Sequence, residues 1–407
     1  MNAKSLTLCL CYALLAGCAK GAIDSLPAAH DQNDPSPTAK APNATFTSLY
    51  SFKGNPDGAF PLAPLAQVGG NLYGTTSQGG TANANGEGTI FKINPSGDET
   101  VLYSFAESPD GQFPQAGLVA LKGLLYGTTP NGGTSANGTV ITSTKKGVEN
   151  VRYSFVGGTD AAGPTAGLIN VNGTLYGTTL AGGGTECNSG IGCGTVFKID
   201  PSGTESVLYR FQGGADGQAP SGALVFVKGM LYGTTFFGGG SSCNFRGCGT
   251  IFKVDPAGSE SVIHSFKGGS DGANPDAGLI DLNGLLYGTT SSGGGNKNDG
   301  TVFHVTTAGK ETVIHRFKGS SDGADPESGL LAVKGTLYGT TFAGGQSDFG
   351  TAFQMTTKGA ETVLHSFTFG ADGGNPSASL IRVKGTLYGT TKTGGTAGFG
   401  TVYSIAL

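Results

Sequence analysis

Phe46-Thr47-Ser48-Leu49-Tyr50-Ser51-Phe52 opens the repetitive body of this chain and Gly400-Thr401-Val402-Tyr403-Ser404-Ile405 closes it, yet neither stretch stands at the edge of a repeat. The first matches Val262-Ile263-His264-Ser265-Phe266, the fourth strand-like run of an internal unit; the second matches a third run. A body that starts on a fourth strand and stops on a third is complete only if its two ends pair. That is what a closed ring of sheets requires, because closure removes the unpaired strand edge. A linear stack has no need of the offset.

Between these ends the marker Leu-Tyr-Gly-Thr-Thr recurs, with tyrosines at Tyr73, Tyr126, Tyr176, Tyr232, Tyr287, Tyr338 and Tyr388, at intervals of 50 to 56 residues. In the fourth unit four strand-like runs are predicted: Gly222 to Val227, Met230 to Thr235, Gly249 to Val254 and Ser261 to Phe266. Gly and Asp-Gly turn signals separate them. Four short strands per unit of this length is the period of a propeller blade, whereas ankyrin or leucine-rich units are shorter and carry helices. The expected fold is therefore all-β: residues 45–407 form a single seven-bladed β-propeller with four-stranded blades, the N-terminal strand completing the last blade. Glycine, 74 of 407 residues, lacks the three-residue period of collagen and is interspersed with Val, Ile, Leu and Phe, as many tight turns between short strands demand.

The repeat residues read first as structure. Phe52, Phe105, Phe155, Phe211, Phe266, Phe317 and Phe367 end the fourth runs and, in a chain without tryptophan, are the expected packing anchors between blades. The marker tyrosines fall in strands sandwiched by neighbouring blades, so core packing is expected of them and not an aromatic ligand ring. The glycine after each, Gly74 through Gly389, is expected to let the adjacent blade approach. His264, His315 and His365 occupy one equivalent position, held by tyrosine in other units. They cannot share one metal ion, because equivalent outer positions on neighbouring blades lie more than ~12 Å apart.

Asp57, Asp110, Asp160, Asp216, Asp271, Asp322 and Asp372 sit in Phe-x-Gly-Gly-x-Asp-Gly loops, or close variants of them, between units. Aspartate before glycine forms turns; a calcium role is the alternative, and one carboxylate in most of these loops is few for it. These loops and those after Thr-Thr emerge on one side of the disc. The third and fourth units are the least repetitive there, which makes Phe236, Phe237, Phe245 and Arg246 the candidate ligand face.

Only 13% of residues are charged and the net charge is -4, so no basic field exists to hold nucleic acid. Lys4 precedes an apolar stretch from Leu6 to Leu15, too short to span a bilayer, which needs about 20 residues. Residues 1–17 are expected to be a signal peptide. Leu15-Ala16-Gly17-Cys18 resembles a bacterial lipobox, which implies lipidation of Cys18 and a membrane partner through that anchor. Residues 19–44, rich in Ala, Pro, Asp and Asn, are expected to be a tether reaching roughly 25–30 Å. The remaining cysteines form two close pairs, Cys187 with Cys193 and Cys243 with Cys248, whose spacing suits small disulfides better than a four-thiolate zinc site.

Leu-Tyr-Gly-Thr-Thr, Gly-Gly, Gly-Thr-Val-Phe and Val-Leu-Tyr-Ser-Phe together resemble the GloVer tandem repeat of bacterial choice-of-anchor proteins, over residues 45–407. The strand order and the glycine pair also resemble kelch propellers, without the fourth-strand tryptophan usual there. The second unit departs most from the pattern, with Ile141 for the third-strand aromatic and Asp160-Ala161 for Asp-Gly. The resemblance implies a surface anchor on a common repeat body and lends no activity. The expected function is a monomeric binding or scaffold protein of the cell envelope, its loop face meeting a glycan, peptide or protein, with no cofactor. The alternative is a propeller enzyme such as a polysaccharide lyase or hydrolase acting at the channel mouth. No nucleophile with a partner base stands out, and near-identical units speak against catalysis.

Overall fold

A computed structural model describes residues 44–81, 86–187, 190–240, 242–243 and 246–407 of the chain. The expected signal peptide, Cys18, nearly all of the tether and Phe245 lie outside the described residues.

Seven four-stranded antiparallel sheets form the ring, six of them ordered as their strands occur in the chain. Blade 1 consists of Ala66–Val68, Asn71–Thr76, Thr89–Ile93 and Glu99–Ser104, and blade 4 of Val225–Val227, Met230–Thr235, Thr250–Val254 and Glu260–Ser265. Blade 7 takes three strands from the C-terminal end, Ile381–Val383, Thr386–Thr391 and Thr401–Ala406, and its fourth from Thr45–Ser51. That last pairing is antiparallel from Thr45 opposite Ala406 to Ser51 opposite Thr401. The seven-bladed ring and its clasp are thus as expected.

One boundary differs from the expectation. The first strand of blade 4 begins at Val225, three residues after Gly222, because the preceding residues run along the innermost path and face neighbouring blades. A Cβ on Gly222 would lie 2.6 Å from the Ala277 carbonyl oxygen of the next blade. Along this path Gly117 sits against Pro64, Gly278 against Ala223, and Gly329 against Ser379, so residues with little or no side chain let the blades converge. The first threonine of the marker fastens the same path: Thr75 Oγ1 donates to the Ala116 carbonyl, Thr234 to Ala277, and Thr390 to Ala63 across the closure. The second threonine works within its blade, as in Thr76 to Thr89 at 2.7 Å and Thr391 to Thr401 at 2.9 Å.

Hydrophobic packing joins the blades further out. The fourth-strand phenylalanines are all buried, and each rests on the next blade. Phe52 meets Phe91 edge-on at 5.1 Å, Phe211 meets Phe252 at 5.0 Å, and Phe367 meets Tyr403 at 5.1 Å. Phe105 meets no aromatic ring on the next blade, and it packs there in the cluster that contains Ile141. The glycine after each marker tyrosine has a different use from the one expected. Gly74 lies opposite Phe91 of its own blade, and a Cβ there would come within 2.5 Å of that ring. The glycine makes room for the third-strand aromatic of the same sheet, not for the adjacent blade.

Two disulfides close loops on one face, Cys187 to Cys193 and Cys243 to Cys248. Phe52→Ala should cost about 3–5 kcal/mol, the usual range for a buried phenylalanine, measured by chemical denaturation. The double change of Cys187 and Cys193 to serine should cost about 2 kcal/mol, because so short a loop restrains the unfolded chain only modestly.

Candidate functional site

Every blade carries a polar cluster at its outer rim, and a backbone irregularity aims it. The pairing of third and fourth strands slips once in each blade, in blade 4 between Ile251 and Phe252. Beyond this bulge comes the tyrosine or histidine, whose side chain meets the aspartate of the following turn. Tyr50 donates to Asp57 at 2.9 Å, Tyr103 to Asp110 at 2.8 Å, Tyr153 to Asp160 at 3.1 Å and Tyr209 to Asp216 at 2.8 Å. The histidine counterparts lie at 3.5 Å for His264 and Asp271, 3.2 Å for His315 and Asp322, and 3.0 Å for His365 and Asp372.

The same aspartates accept a backbone N–H four residues upstream, from Lys53 for Asp57 through Thr368 for Asp372. Each therefore ties its turn to its own strand. The three histidines stand in three separate clusters.

A third member of these clusters escaped the sequence reading. The glutamate opening each fourth strand, Glu99 in blade 1, faces the tyrosine and aspartate of the preceding blade. Burial and the neighbouring aspartate raise Glu99, Glu149 and Glu205 to about 7 and Glu260 to about 8, the tyrosine opposing the rise. The same causes raise Glu311, beside Asp271, to about 7. Burial lowers the His264 imidazole, with Asp271 opposing. The repeated glutamate was visible four residues before each tyrosine or histidine, but its partner belongs to another blade. In the last cluster no glutamate is present: Phe46 takes that place and stacks on His365 at 3.8 Å.

The upper face is built where the Asp-Gly loops pair with the loops after Thr-Thr. Gly58–Ala59 pairs with Gln78–Gly79, and Gln218 bridges to Phe237 in the equivalent place. Both disulfides lie here, each above a loop glycine: a Cβ on Gly213 would touch Cys187 Sγ, and one on Gly268 would touch Cys243 Sγ. The candidate ligand patch is smaller than expected. Phe236 is buried and meets Phe237 edge-on at 4.8 Å, which leaves half-buried Phe237 under exposed Arg246, whose guanidinium lies 4.9 Å from the ring centre.

Towards the axis, the residue after each loop proline lies just before the innermost path. Here the ring loses its symmetry. Leu62, Gln115, Thr165, Ser221 and Ser377 give way to Asp276 and Glu327 in the turns leading into blades 5 and 6. Both acids are half-buried. Burial raises Asp276, with Ser221 opposing. Glu327 is raised to about 8 by burial and then by Asp276, against the pull of Lys392, with Asp325 adding to the rise. Lys392 lies 5.5 Å over the Phe342 ring. Thr165 Oγ1 and Ser377 Oγ, at the equivalent position in their own turns, are buried without a hydrogen-bond partner.

The rim clusters make stability depend on pH. Their glutamates have folded pKa values above the ordinary 4.5, so the stability they contribute is present below about pH 4.5 and is lost as pH rises through about 7 to 8. Glu99 is the example: Lys53, Asp57 and Tyr50 face it, and its burial dominates. In chelator-treated protein the thermal midpoint should fall between pH 5 and 8.5. Replacing Glu99, Glu149, Glu205 and Glu260 together by glutamine should flatten that slope.

Comparison with known proteins bears on the fold and the family. No curated protein sequence matches the chain. Among solved structures, a puromycin hydrolase is 10% identical, with a TM-score of 0.53, over 83% of this chain and 50% of that one. A GH74 xyloglucanase from Xanthomonas campestris is 12% identical, with a TM-score of 0.52, over 86% of this chain and 52% of that one. This chain thus spans about half the length of either. A gluconolactonase from the same organism is 13% identical, covering 95% of this chain and 99% of that one, at a TM-score of 0.45. At such identities the likeness is one of fold. The family described as the Gloeobacter/Verrucomicrobia repeat matches residues 38–191 and 294–407, most of the chain, and the protein belongs to that family.

Proposed function

We propose that this protein is a lipid-anchored binding propeller of the bacterial cell envelope, held at Cys18 and receiving a glycan at the channel mouth of its loop face. The observation that carries the reading is the break in symmetry: an otherwise small and neutral ring holds Asp276 and Glu327 side by side, with Lys392 and Phe342 nearby. Carboxylates accept hydrogen bonds from neighbouring hydroxyls, an ammonium donates, and an aromatic face packs on sugar C–H groups. The disulfides favour an oxidising compartment, which agrees with display outside the cytoplasm.

A second reading draws on one specific observation. Burial, and then Asp276, push the Glu327 carboxyl up to about 8, which suits it to donate a proton, and glycoside cleavage pairs such an acid with a second carboxyl group. That reading is the enzyme, a polysaccharide hydrolase or lyase.

A glycan array probed with the full chain, with and without calcium, tests the proposal. Binding should be present, independent of calcium, and lost in Glu327→Gln and Asp276→Asn. An array without signal in either condition overturns the glycan reading. Shortened products after prolonged incubation with a bound glycan, absent with Glu327→Gln, would replace binding by catalysis.

A further inference from the structure

One of the three histidine clusters at the rim contains a gap that the tyrosine clusters do not have. Where the residue is tyrosine, the phenol hydroxyl reaches its aspartate at 2.8 to 3.1 Å and also faces the glutamate of the next blade. An imidazole is shorter than a phenol by about one metal–nitrogen bond, roughly 2 Å. At blade 4 most of that difference is closed, but a gap remains. His264 Nε2 stops 3.5 Å from Asp271 Oδ2 and is buried without a hydrogen-bond partner; Glu311 Oε1 of blade 5 is buried without one as well, as is the matching oxygen of the other clusters' glutamates, so the unengaged imidazole nitrogen is what sets this cluster apart. One donor atom from each of His264, Asp271 and Glu311 lies within 4.8 Å of the other two. Lone-pair atoms left buried and unengaged are costly unless a positive centre joins them.

We propose that His264, Asp271 and Glu311 form a divalent metal site, with zinc the fitting ion, which occupies the place that the phenol oxygen fills in the tyrosine blades. One imidazole nitrogen and two carboxylate oxygens are a three-ligand zinc set with room for a fourth, and bonds of about 2.0–2.2 Å in a tetrahedral shell would draw the three donors in to about 3.4 Å from one another. The nitrogen donor favours zinc over calcium, which takes oxygen ligands. Because His264 and Asp271 belong to blade 4 and its turn while Glu311 opens the fourth strand of blade 5, the ion would clamp two blades together.

The other histidines show what the site needs. His315 already lies 3.2 Å from Asp322, and its cluster does not gather three donors as closely. At His365 the third donor is replaced by Phe46, so that cluster offers only an imidazole and one carboxylate.

The test is titration of chelator-stripped full chain with zinc alone, by calorimetry and by metal analysis after desalting. One equivalent per chain should bind and should raise the thermal midpoint. His264→Tyr should abolish that equivalent while the metal-free protein stays folded, because four blades carry tyrosine there natively. Glu311→Gln should weaken binding by roughly tenfold or more, and His365→Tyr should leave it unchanged. Absence of retained zinc in the unaltered chain overturns the proposal, as does retention of the same equivalent by His264→Tyr.

Discussion

The edge-on contact between the fourth-strand phenylalanine of one blade and the third-strand aromatic of the next is the interaction on which the ring depends. A four-stranded sheet of such short strands cannot bury its own faces, and the buried Phe52, Phe155, Phe211 and their counterparts supply the apolar area that joins it to a neighbour. Geometry within the sheet follows from this contact. The third-strand ring needs space above the second strand, so the residue opposite it is glycine, as Gly74 is opposite Phe91. Where Ile141 replaces the aromatic, it stands off at 3.6 Å from the place of a Gly127 Cβ, and Leu118 at 2.8 Å is then the neighbour that leaves no room for one.

Polar bonding is arranged in layers around that contact. Inside it, marker threonines bond across to the next blade's innermost path, and in the closing gap Thr390 reaches Ala63 from the opposite end of the chain. Outside it, the tyrosine or histidine, the turn aspartate and the next blade's glutamate form a half-buried network. The network sits where water is partly excluded, so its glutamates resist ionisation, and exchange of tyrosine for histidine changes what the same backbone can hold. Phe46 occupies the glutamate position in the clasp strand and stacks on His365, which makes the seam between blades 6 and 7 more apolar at the rim than those that carry a glutamate.

Symmetry is kept at the rim and broken near the axis. The rim clusters repeat around the disc and belong to the fold, whereas Asp276, Glu327 and Lys392 occur once each at their positions near the axis. A ring that demands small residues for convergence tolerates larger side chains only immediately before the innermost path. There the loops from several blades meet, so few substitutions suffice to make a polar mouth on a repetitive scaffold.

Periodicity made the blade count and the clasp readable from the sequence, because a fourth-strand run at the start and a third-strand run at the end leave one way to complete seven sheets. The cysteine pairs were readable too, since five or six residues of separation in a glycine-rich loop permit closure without distant partners. The candidate site was not. Glu99 lies along the chain beside its own strand but acts on Tyr50 and Asp57 of the preceding blade, and Asp276 and Glu327 come from turns 51 positions apart that meet only when the ring curves. Phe236, exposed in expectation, is buried by the pairing of two loops. Local patterns fix what each unit becomes. Which units face one another, at what distance and in how much water, is decided by closure of the ring.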